Sequence, residues 1–470
     1  MLKRILKIAL GVVVVLVIAF VTLIGPWPTY GPSDVQASKR FKSMVTSLEQ
    51  QAAKSQISST PGRLRAGWGK GSIIPRVGIP LAGYGDRGGK PSIGIADELF
   101  AKAIVMTDGH DKIALVGSDM LIVPENVADA VRAAVAEQTD LDPRNLLFNA
   151  SHSHSGPGGF GPGLMASMFM GKYDPAIPEA ITKGFVEAIT SANGDLSEAK
   201  IASGRLDAPD YIRNRSREAA VDPGLNYMIV ERDDGKRCIV SRYSAHSTVL
   251  GGSNMKFSGD FPGYLQRALE REPDTFAVYL AGAVGSMGPK APEGPDGFAR
   301  AEAMGNALAT RIKEACAGAA FETHVDIAST SAQFKTPPFQ LRINPSWRVS
   351  PFLLGLAGVD NDAWIHGLRI GNQFFYGTPC DFSGELSVEM EAWAKEQGLA
   401  LWVLSFNGDY IGYVSPARYY TTSKPSGDDS YEMYVMSWFG PDQEAWFAEG
   451  LHQLVNLLNG PEAPLEQPAA

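Results

Sequence analysis

The feature that most constrains this 470-residue chain lies at its start. Lys3, Arg4 and Lys7 precede an apolar run from Ile8 to Ile24, broken only by Gly11 and Thr22, and no further charge occurs before Asp34. A helix from Ile8 to Trp27 would be about 30 Å long, enough to cross the hydrocarbon core of a bilayer. Secretory h-regions are usually shorter and end in a small-x-small cleavage site. This run instead leads into Gly25-Pro26-Trp27-Pro28, with Trp27 and Tyr30 placed as interfacial aromatics. The pattern predicts an uncleaved single-pass anchor over residues 1–30. Its basic tip would be cytoplasmic and everything after Tyr30 extracytoplasmic, periplasmic or extracellular. A cleaved signal would leave the compartment unchanged. Residues 31–64, rich in Ser, Gln and Lys, read as a polar stalk, and residues 65–470 as the body.

Hydrophobic residues at 44% and charged residues at 20% give the body an ordinary globular balance, which excludes a largely disordered, collagen-like or coiled-coil chain. A formal charge of -9 has the wrong sign for a phosphate-binding surface, so nucleic acid is not expected as a partner. The three cysteines, Cys238, Cys316 and Cys380, are far apart and form no CxxC. They build neither a disulfide framework nor a thiolate zinc site.

Short apolar runs alternate with helical patterns through the body. Ile113–Val116, Asn145–Phe148, Cys238–Ser244, Phe276–Leu280 and Leu401–Phe406 read as strands. Glu125–Gln138, Pro178–Ala192, Phe261–Glu270, Ala299–Ala315, Gly384–Gln397 and Asp442–Leu458 read as helices. This alternation predicts an α/β fold, a layered and largely parallel sheet with flanking helices, preceded by the single N-terminal transmembrane helix.

Two histidines, His152 and His154, follow the Asn145–Phe148 strand in a small-residue loop, Ser151-His152-Ser153-His154-Ser155-Gly156-Pro157-Gly158-Gly159. The C-terminal end of a strand is where open α/β sheets bind ligands, and in an extended segment both rings would point to one side. Taken alone, HxH reads equally as a pair of solvated loop histidines. His246 follows a second apolar run in the same way, and the two settings look like contributions to one cleft. A buried histidine bonded to a carbonyl is the bland alternative for His246. Asp381 lies between a third apolar run and the helix from Gly384, where a buried acid is costly unless it is paired or binds a metal. Asp381 or Ser383 could equally be the N-cap of that helix. A fourth post-strand cluster supplies Asp409, Tyr410 and Tyr413.

The string His152–Gly159, Asn214-Arg215-Ser216, His246, Phe257–Tyr264, Gly412-Tyr413-Val414 and Phe439-Gly440-Pro441 occur in the order found in the neutral/alkaline non-lysosomal ceramidases. The chain resembles that family from about Ala66 to Leu458. The resemblance implies a zinc amidase that cleaves the N-acyl bond of ceramide or a related N-acyl lipid by metal-activated water. It further implies the family's catalytic domain without the immunoglobulin-like domain that usually follows. Residue by residue, it makes His152, His246 and Asp381 zinc ligands and Tyr413 a fourth protein group at the metal, with one Zn2+ per chain. His154, Arg215 and Tyr431 would surround the scissile amide. Arg215 reads equally as a structural ion-pair partner.

Two departures stand out. Pro379-Cys380-Asp381 replaces the family's Pro-Gly-Glu, which shortens the carboxylate by one methylene. Val284 takes the place of a serine sometimes considered a nucleophile, with Ser286 two residues on. Two other readings follow: a non-catalytic, membrane-anchored lipid- or envelope-binding protein that keeps the fold, and a metal-free serine hydrolase using Ser286 with His246. Gly285-Ser286-Met287-Gly288 lacks the GxSxG elbow of the latter class.

Overall fold

The computed structural model describes residues 2–31, 33–55, 61–354, 362–421 and 431–459. Strands β1 (Arg65–Ser72), β2 (Phe100–Thr107), β3 (Lys112–Ser118), β4 (Leu146–Ala150), β5 (Ser197–Asp207), β6 (Gly224–Arg232), β7 (Arg237–Tyr243) and β8 (Thr275–Ala281) form an eight-stranded sheet in the order β8-β7-β6-β5-β1-β2-β3-β4. A second sheet runs β9 (Ile327–Lys335), β10 (Asp362–Ile370), β11 (Gln373–Gly377), β12 (Ala400–Leu404). The main helices are α1 (Leu2–Leu23), α2 (Lys39–Ala52), α3 (Glu125–Gln138), α4 (Ala176–Gly194), α5 (Asp260–Leu269), α6 (Gly297–Cys316), α7 (Gly384–Glu396) and α8 (Asp442–Leu458).

Three apolar clusters explain how the layers stack. Ile104, Met106, Leu115, Val230 and Val240 of the large sheet meet Ile327, Leu368, Phe375 and Trp402 of the small one, so the sheets face each other. Alternate residues of the same strands, such as Ala103, Val105 and Val116, pack against Val131 of α3, Ile181 of α4, Leu265 of α5 and Met304 of α6. The outer face of the small sheet carries Phe334, Ile365 and Tyr376 against Leu48 of α2, Met390 of α7 and Trp446 of α8. Strands covered on both faces read as near-continuous apolar runs, which is why the sequence marks several of them clearly. On β1, glycines let α4 lie directly on the strand: a Cβ at Gly71 would sit 2.1 Å from the carbonyl oxygen of Gly184.

The α/β class and flanking helices agree with expectation, but the strand directions do not. Only β7–β8 and β3–β4 of the large sheet and β11–β12 of the small sheet are parallel; the remaining pairs are antiparallel. The connections are the reason. β2 and β3 are joined by Asp108–Asp111, and β6 and β7 by Asp233–Lys236, turns too short for a parallel crossover. β1, β2, β5 and β6, which the apolar-run pattern does not pick out, fill the antiparallel middle of the large sheet.

The segment expected to be a polar stalk is also different. Its residues 56–60 lie outside the described residues, but α2 before them packs on the body, with Phe41, Met44 and Leu48 buried beneath β9 and α8. Thr330 Oγ1 donates to the carbonyl of Leu48 at 2.9 Å. The polar composition belongs to the outer face of an amphipathic helix, and its three-to-four-residue apolar spacing is a packing face. α1, by contrast, spans 22 residues with its apolar side chains exposed, and it is the one helix among the described residues long and apolar enough to cross a membrane. If α2 belongs to the core, Leu48→Ala lowers the unfolding free energy of the body by about 2–5 kcal/mol. Chemical denaturation measures this; a change near zero would mark α2 as a spacer.

Candidate active site

Four strand ends meet at one edge of the two sheets. β4 runs into Ser151-His152-Ser153-His154, β7 into His246, β11 into Asp381, and β12 into Phe406 through Tyr413. Fully buried Asn149 locks the ends of β4 and β12 to that of β8: its Nδ2 donates to the carbonyls of Ala281 at 2.9 Å and Ser405 at 2.8 Å. Phe148 N donates to Asn407 Oδ1 at 3.1 Å. His152 is not extended, as simple alternation would require. Its φ is 60°, a left-handed conformation that costs a non-glycine residue about 1–2 kcal/mol. The ring is held there by stacking on Phe406, itself at φ 65°, with centroids 4.5 Å apart and planes 4° from parallel. His152 and His154 therefore share the site through a turned backbone rather than strand alternation.

Hydrogen bonds fix two tautomers. His152 Nδ1 lies 2.7 Å from the carbonyl of Leu121, and His246 Nδ1 lies 2.8 Å from that of Val284. A carbonyl only accepts, so each Nδ1 carries the proton and each Nε2 presents a lone pair. Those Nε2 atoms face one another at 3.1 Å, and His154 Nε2 is 3.2 Å from that of His152. Asp381 Oδ1 lies 3.5 Å from His152 Nε2 and 3.7 Å from His246 Nε2, without a hydrogen-bond donor of its own. Ligands about 2 Å from one tetrahedral ion lie about 3.3 Å apart, so this donor set fits a cation of zinc's size and ligand preference. The other carboxylate oxygen, Oδ2, accepts from Tyr410 OH at 2.7 Å. In the sequence Tyr410 stands out only as a member of the post-strand cluster with Asp409 and Tyr413; its contact with Asp381 is what the structure adds.

Tyr413 reaches the cluster because Asp381 and Tyr413 pair directly in a two-residue parallel ladder. Its hydroxyl lies 3.4 Å from His246 Nε2 and accepts from Arg215 Nη2 at 2.9 Å. Arg215 also donates to the carbonyl of Gly285. Tyr431 stands edge-on to Tyr413 with centroids 6.0 Å apart. All seven residues singled out in the sequence, His152, His154, Arg215, His246, Asp381, Tyr413 and Tyr431, thus lie in one cluster. Asp381 is not the cap of α7: Ser383 occupies that position, and Gly384 N at the helix start donates to Ser286 Oγ at 3.2 Å. Fully buried Ser286 also bonds Ser383 Oγ, while both ring nitrogens of His246 are engaged elsewhere. A serine nucleophile paired with His246 has no support in this geometry.

Burial dominates the electrostatics. It holds His152 down at about 3 and His154 and His246 well below the usual imidazole value, with Arg215 adding to the effect at each. Neutral imidazoles are the form that binds metals. Burial raises the Asp381 carboxyl to about 7 against the opposing hydrogen bond from Tyr410. The Tyr413 phenol is pushed well above its ordinary value, first by burial and then by Asp381.

Above the cluster opens a cavity of about 320 Å3. His152, His154, Asp381, Tyr410, Tyr413 and Tyr431 form its polar part, and Leu121, Phe160, Met165, Phe169, Met436 and Trp438 its apolar walls. An apolar chamber with convergent polar groups at one end suits an amphiphile whose polar linkage lies at the cluster.

Residues 65–283 match the family model described as neutral/alkaline non-lysosomal ceramidase, N-terminal. The neutral ceramidase of Mycobacterium tuberculosis is 24% identical over 345 residues, covering 63% of this chain and 53% of that protein. The neutral ceramidase of Pseudomonas aeruginosa is 24% identical over 235 residues, covering 46% and 35%. The chain thus spans about half the length of the first of these relatives and about a third of the second. The crystal structure of the Pseudomonas aeruginosa neutral ceramidase superposes with a TM-score of 0.70 at 20% identity, covering 88% of this chain and 76% of that one. A ceramidase complexed with C2 gives 0.71, also at 20% identity, over 87% and 77%. These superpositions establish the shared fold.

Asp381 Oδ1 faces the unprotonated Nε2 atoms of His152 and His246, whose Nδ1 atoms are tethered to carbonyls in the manner of metal-binding histidines. His152→Ala and His246→Ala are therefore expected to lower the bound-metal content of purified protein by roughly tenfold or more, with His154→Ala retaining it. Elemental analysis of the three variants decides; equal loss in all three would make His154 a ligand too.

Proposed function

The chain belongs to the neutral/alkaline non-lysosomal ceramidase family, and from that premise we propose that it hydrolyses the N-acyl bond of ceramide or a related N-acyl lipid at the His152–His246–Asp381 cluster. The observation that carries the reading is the convergence of three imidazole Nε2 atoms and a donorless carboxylate oxygen at the floor of an apolar cavity. His152, His246 and Asp381 would hold one zinc ion, with Tyr413 beside it. A bound zinc would supply Lewis-acid polarisation of the amide carbonyl and lower the pKa of water to about 7.

The chain's own residues do the rest. Tyr410 donates to Asp381 Oδ2 and turns Oδ1 toward the imidazoles. Arg215 and the Tyr413 hydroxyl it contacts are placed to stabilise negative charge developing on the amide oxygen. His154, neutral and at the cavity wall, takes a proton from the attacking water and returns it to the departing nitrogen. Water adds, the C–N bond breaks, and a fatty acid and a free amine leave. The apolar walls receive the acyl chain, with Met165, Met170 and Met436 supplying adaptable surface for chains of different shape. α1 would anchor the protein with residues 1–7 cytoplasmic and the body outside, beside a substrate that resides in the bilayer.

The direct test is release of fatty acid from a ceramide carrying a fluorescent acyl chain, using detergent-solubilised full-length protein. Turnover abolished by chelation and restored by zinc is expected; lipid binding without turnover would instead favour a non-catalytic binding protein. Gly83, at φ 102°, places its Cα against the catalytic wall, and a Cβ there would meet His154 Nδ1 at 2.5 Å. Gly83→Ala should lower kcat by roughly tenfold or more while zinc is retained, because it displaces the proton-transferring ring. Ser286→Ala should remove only the acceptor at the start of α7, reducing stability by about 1 kcal/mol. Turnover by that variant should stay close to wild type, and a trapped acyl-serine on the native protein would overturn the assignment.

A further inference from the structure

α1 does not lead into a free tether. Trp27 and Pro28 pair with Arg348 and Trp347 in a short antiparallel ladder. Ser350 N donates to the carbonyl of Ile24 at 2.9 Å, Thr29 N donates to that of Ser346 at 3.0 Å, and Arg348 Nε donates to that of Pro28 at 2.8 Å. The Arg348 guanidinium lies over Tyr30 at 4.0 Å and over Trp27 at 5.7 Å, and Phe352 stands edge-on to Trp27 with centroids 6.5 Å apart. The end of the apolar helix is thus clamped to the body by backbone and ring contacts within seven residues of Leu23.

That clamp sets a depth. A 22-residue helix is about 33 Å long, close to the roughly 30 Å hydrocarbon core, so if α1 spans the bilayer Trp27 lies at the headgroup boundary. Residues packed on Trp27 lie at the same level. Around them, Ile343 is 52% exposed, Trp347 43%, Phe352 60% and Leu353 43%. Four large apolar side chains exposed together, a tryptophan among them, have the composition of a membrane-interface surface.

We propose that this rim, Ile343, Trp347, Phe352 and Leu353, is seated in the outer interface of the bilayer and docks the body onto the lipid surface instead of letting it swing from the anchor. The proposal rests on α1 being a membrane anchor; it does not depend on the reaction proposed above. The same segment continues to the catalytic cavity. Gln340 accepts from Tyr30 N at 3.3 Å through Oε1, and its own backbone N donates to the carbonyl of Trp438, a cavity wall residue, at 2.6 Å. A seated rim therefore fixes the cavity wall relative to the membrane through one continuous set of hydrogen bonds. An amphiphile leaving the outer leaflet meets the chamber at a constant height.

The test uses the full chain reconstituted into phosphatidylcholine vesicles whose acyl chains carry a nitroxide near the headgroup. Cysteine reporters are introduced as Ile343→Cys, Phe352→Cys, Ile18→Cys within α1, and Thr310→Cys on exposed α6, in a Cys316→Ser background where the two remaining cysteines are buried. Each is labelled with an environment-sensitive fluorophore. Quenching at 343 and 352 at least about threefold above that at 310 is expected. Strong quenching at 18 with 343 and 352 no different from 310 overturns the proposal, since the body then stands clear of an inserted anchor. Quenching at 343 and 352 but not at 18 also overturns the proposal, since the rim would then meet lipid without the inserted anchor that sets its depth. Quenching at none of the three refutes both rim and anchor. No outcome reads amide turnover, so failure here leaves the hydrolase assignment to its own assay.

Discussion

Two imidazole nitrogens that both lack a proton face each other at 3.1 Å inside the protein, and much of the surrounding architecture serves to hold them there. Lone pairs at that distance repel, and burial denies either ring the proton that would relieve it. Such an arrangement is sustained by rigid second contacts: carbonyls at Leu121 and Val284 fix each ring through Nδ1, and Phe406 stacks on His152. His152 and Phe406 both take left-handed backbone conformations to make that stack. Strain of this kind persists where neighbouring structure over-determines it, and Asn149 and Asn407 provide that support by tying together the ends of β4, β8 and β12.

The site needs two sheets because its donors come from both. His152 and His246 hang from the large sheet, and Asp381, Tyr410 and Tyr413 from the small one. Packing the sheets through Ile104, Val240, Phe375 and Trp402 therefore sets the distance from carboxylate to imidazole as much as any local loop does. A change in this interlayer packing would act on the cluster without touching it.

The parts legible in sequence were those with a strong local signature. α3 and α8 follow their helical periodicity to the residue, and β3, β4, β7 and β8 stand out because burial on both faces makes them continuously apolar. His152, His154, His246, Asp381 and Tyr413 were found beyond strand ends because chemistry-bearing side chains there interrupt an apolar run, whereas Arg215 and Tyr431 came from the family resemblance alone. Strand direction was not legible: the turns at Asp108–Asp111 and Asp233–Lys236 follow strands, β2 and β6, that alternation with helices does not reveal. α2 was misread as a stalk because its polar surface outweighs the apolar face of Phe41, Met44 and Leu48 in composition. Tyr410 was legible as part of a post-strand cluster but not as a partner of Asp381, because a hydrogen bond to one carboxylate oxygen is a three-dimensional fact with no spacing rule behind it.

The shortened carboxylate at 381 shows how side-chain length and backbone position act as one variable. An aspartate reaches less far than a glutamate, yet Oδ1 comes within 3.5 Å of His152 and 3.7 Å of His246. Backbone contacts fix where it starts from. Asp381 N donates to the carbonyl of Gly412 and Gly285 N to that of Phe382, drawing this strand between two neighbours. Gly285 permits the approach, since a Cβ there would lie 2.6 Å from the carbonyl oxygen of Asp381. Tyr410 then takes Oδ2, which leaves Oδ1 as the carboxylate oxygen directed at the imidazoles. The reach of the Asp381 carboxylate to the histidines thus depends on the strand position that Gly285 and Gly412 permit and on the orientation that Tyr410 imposes.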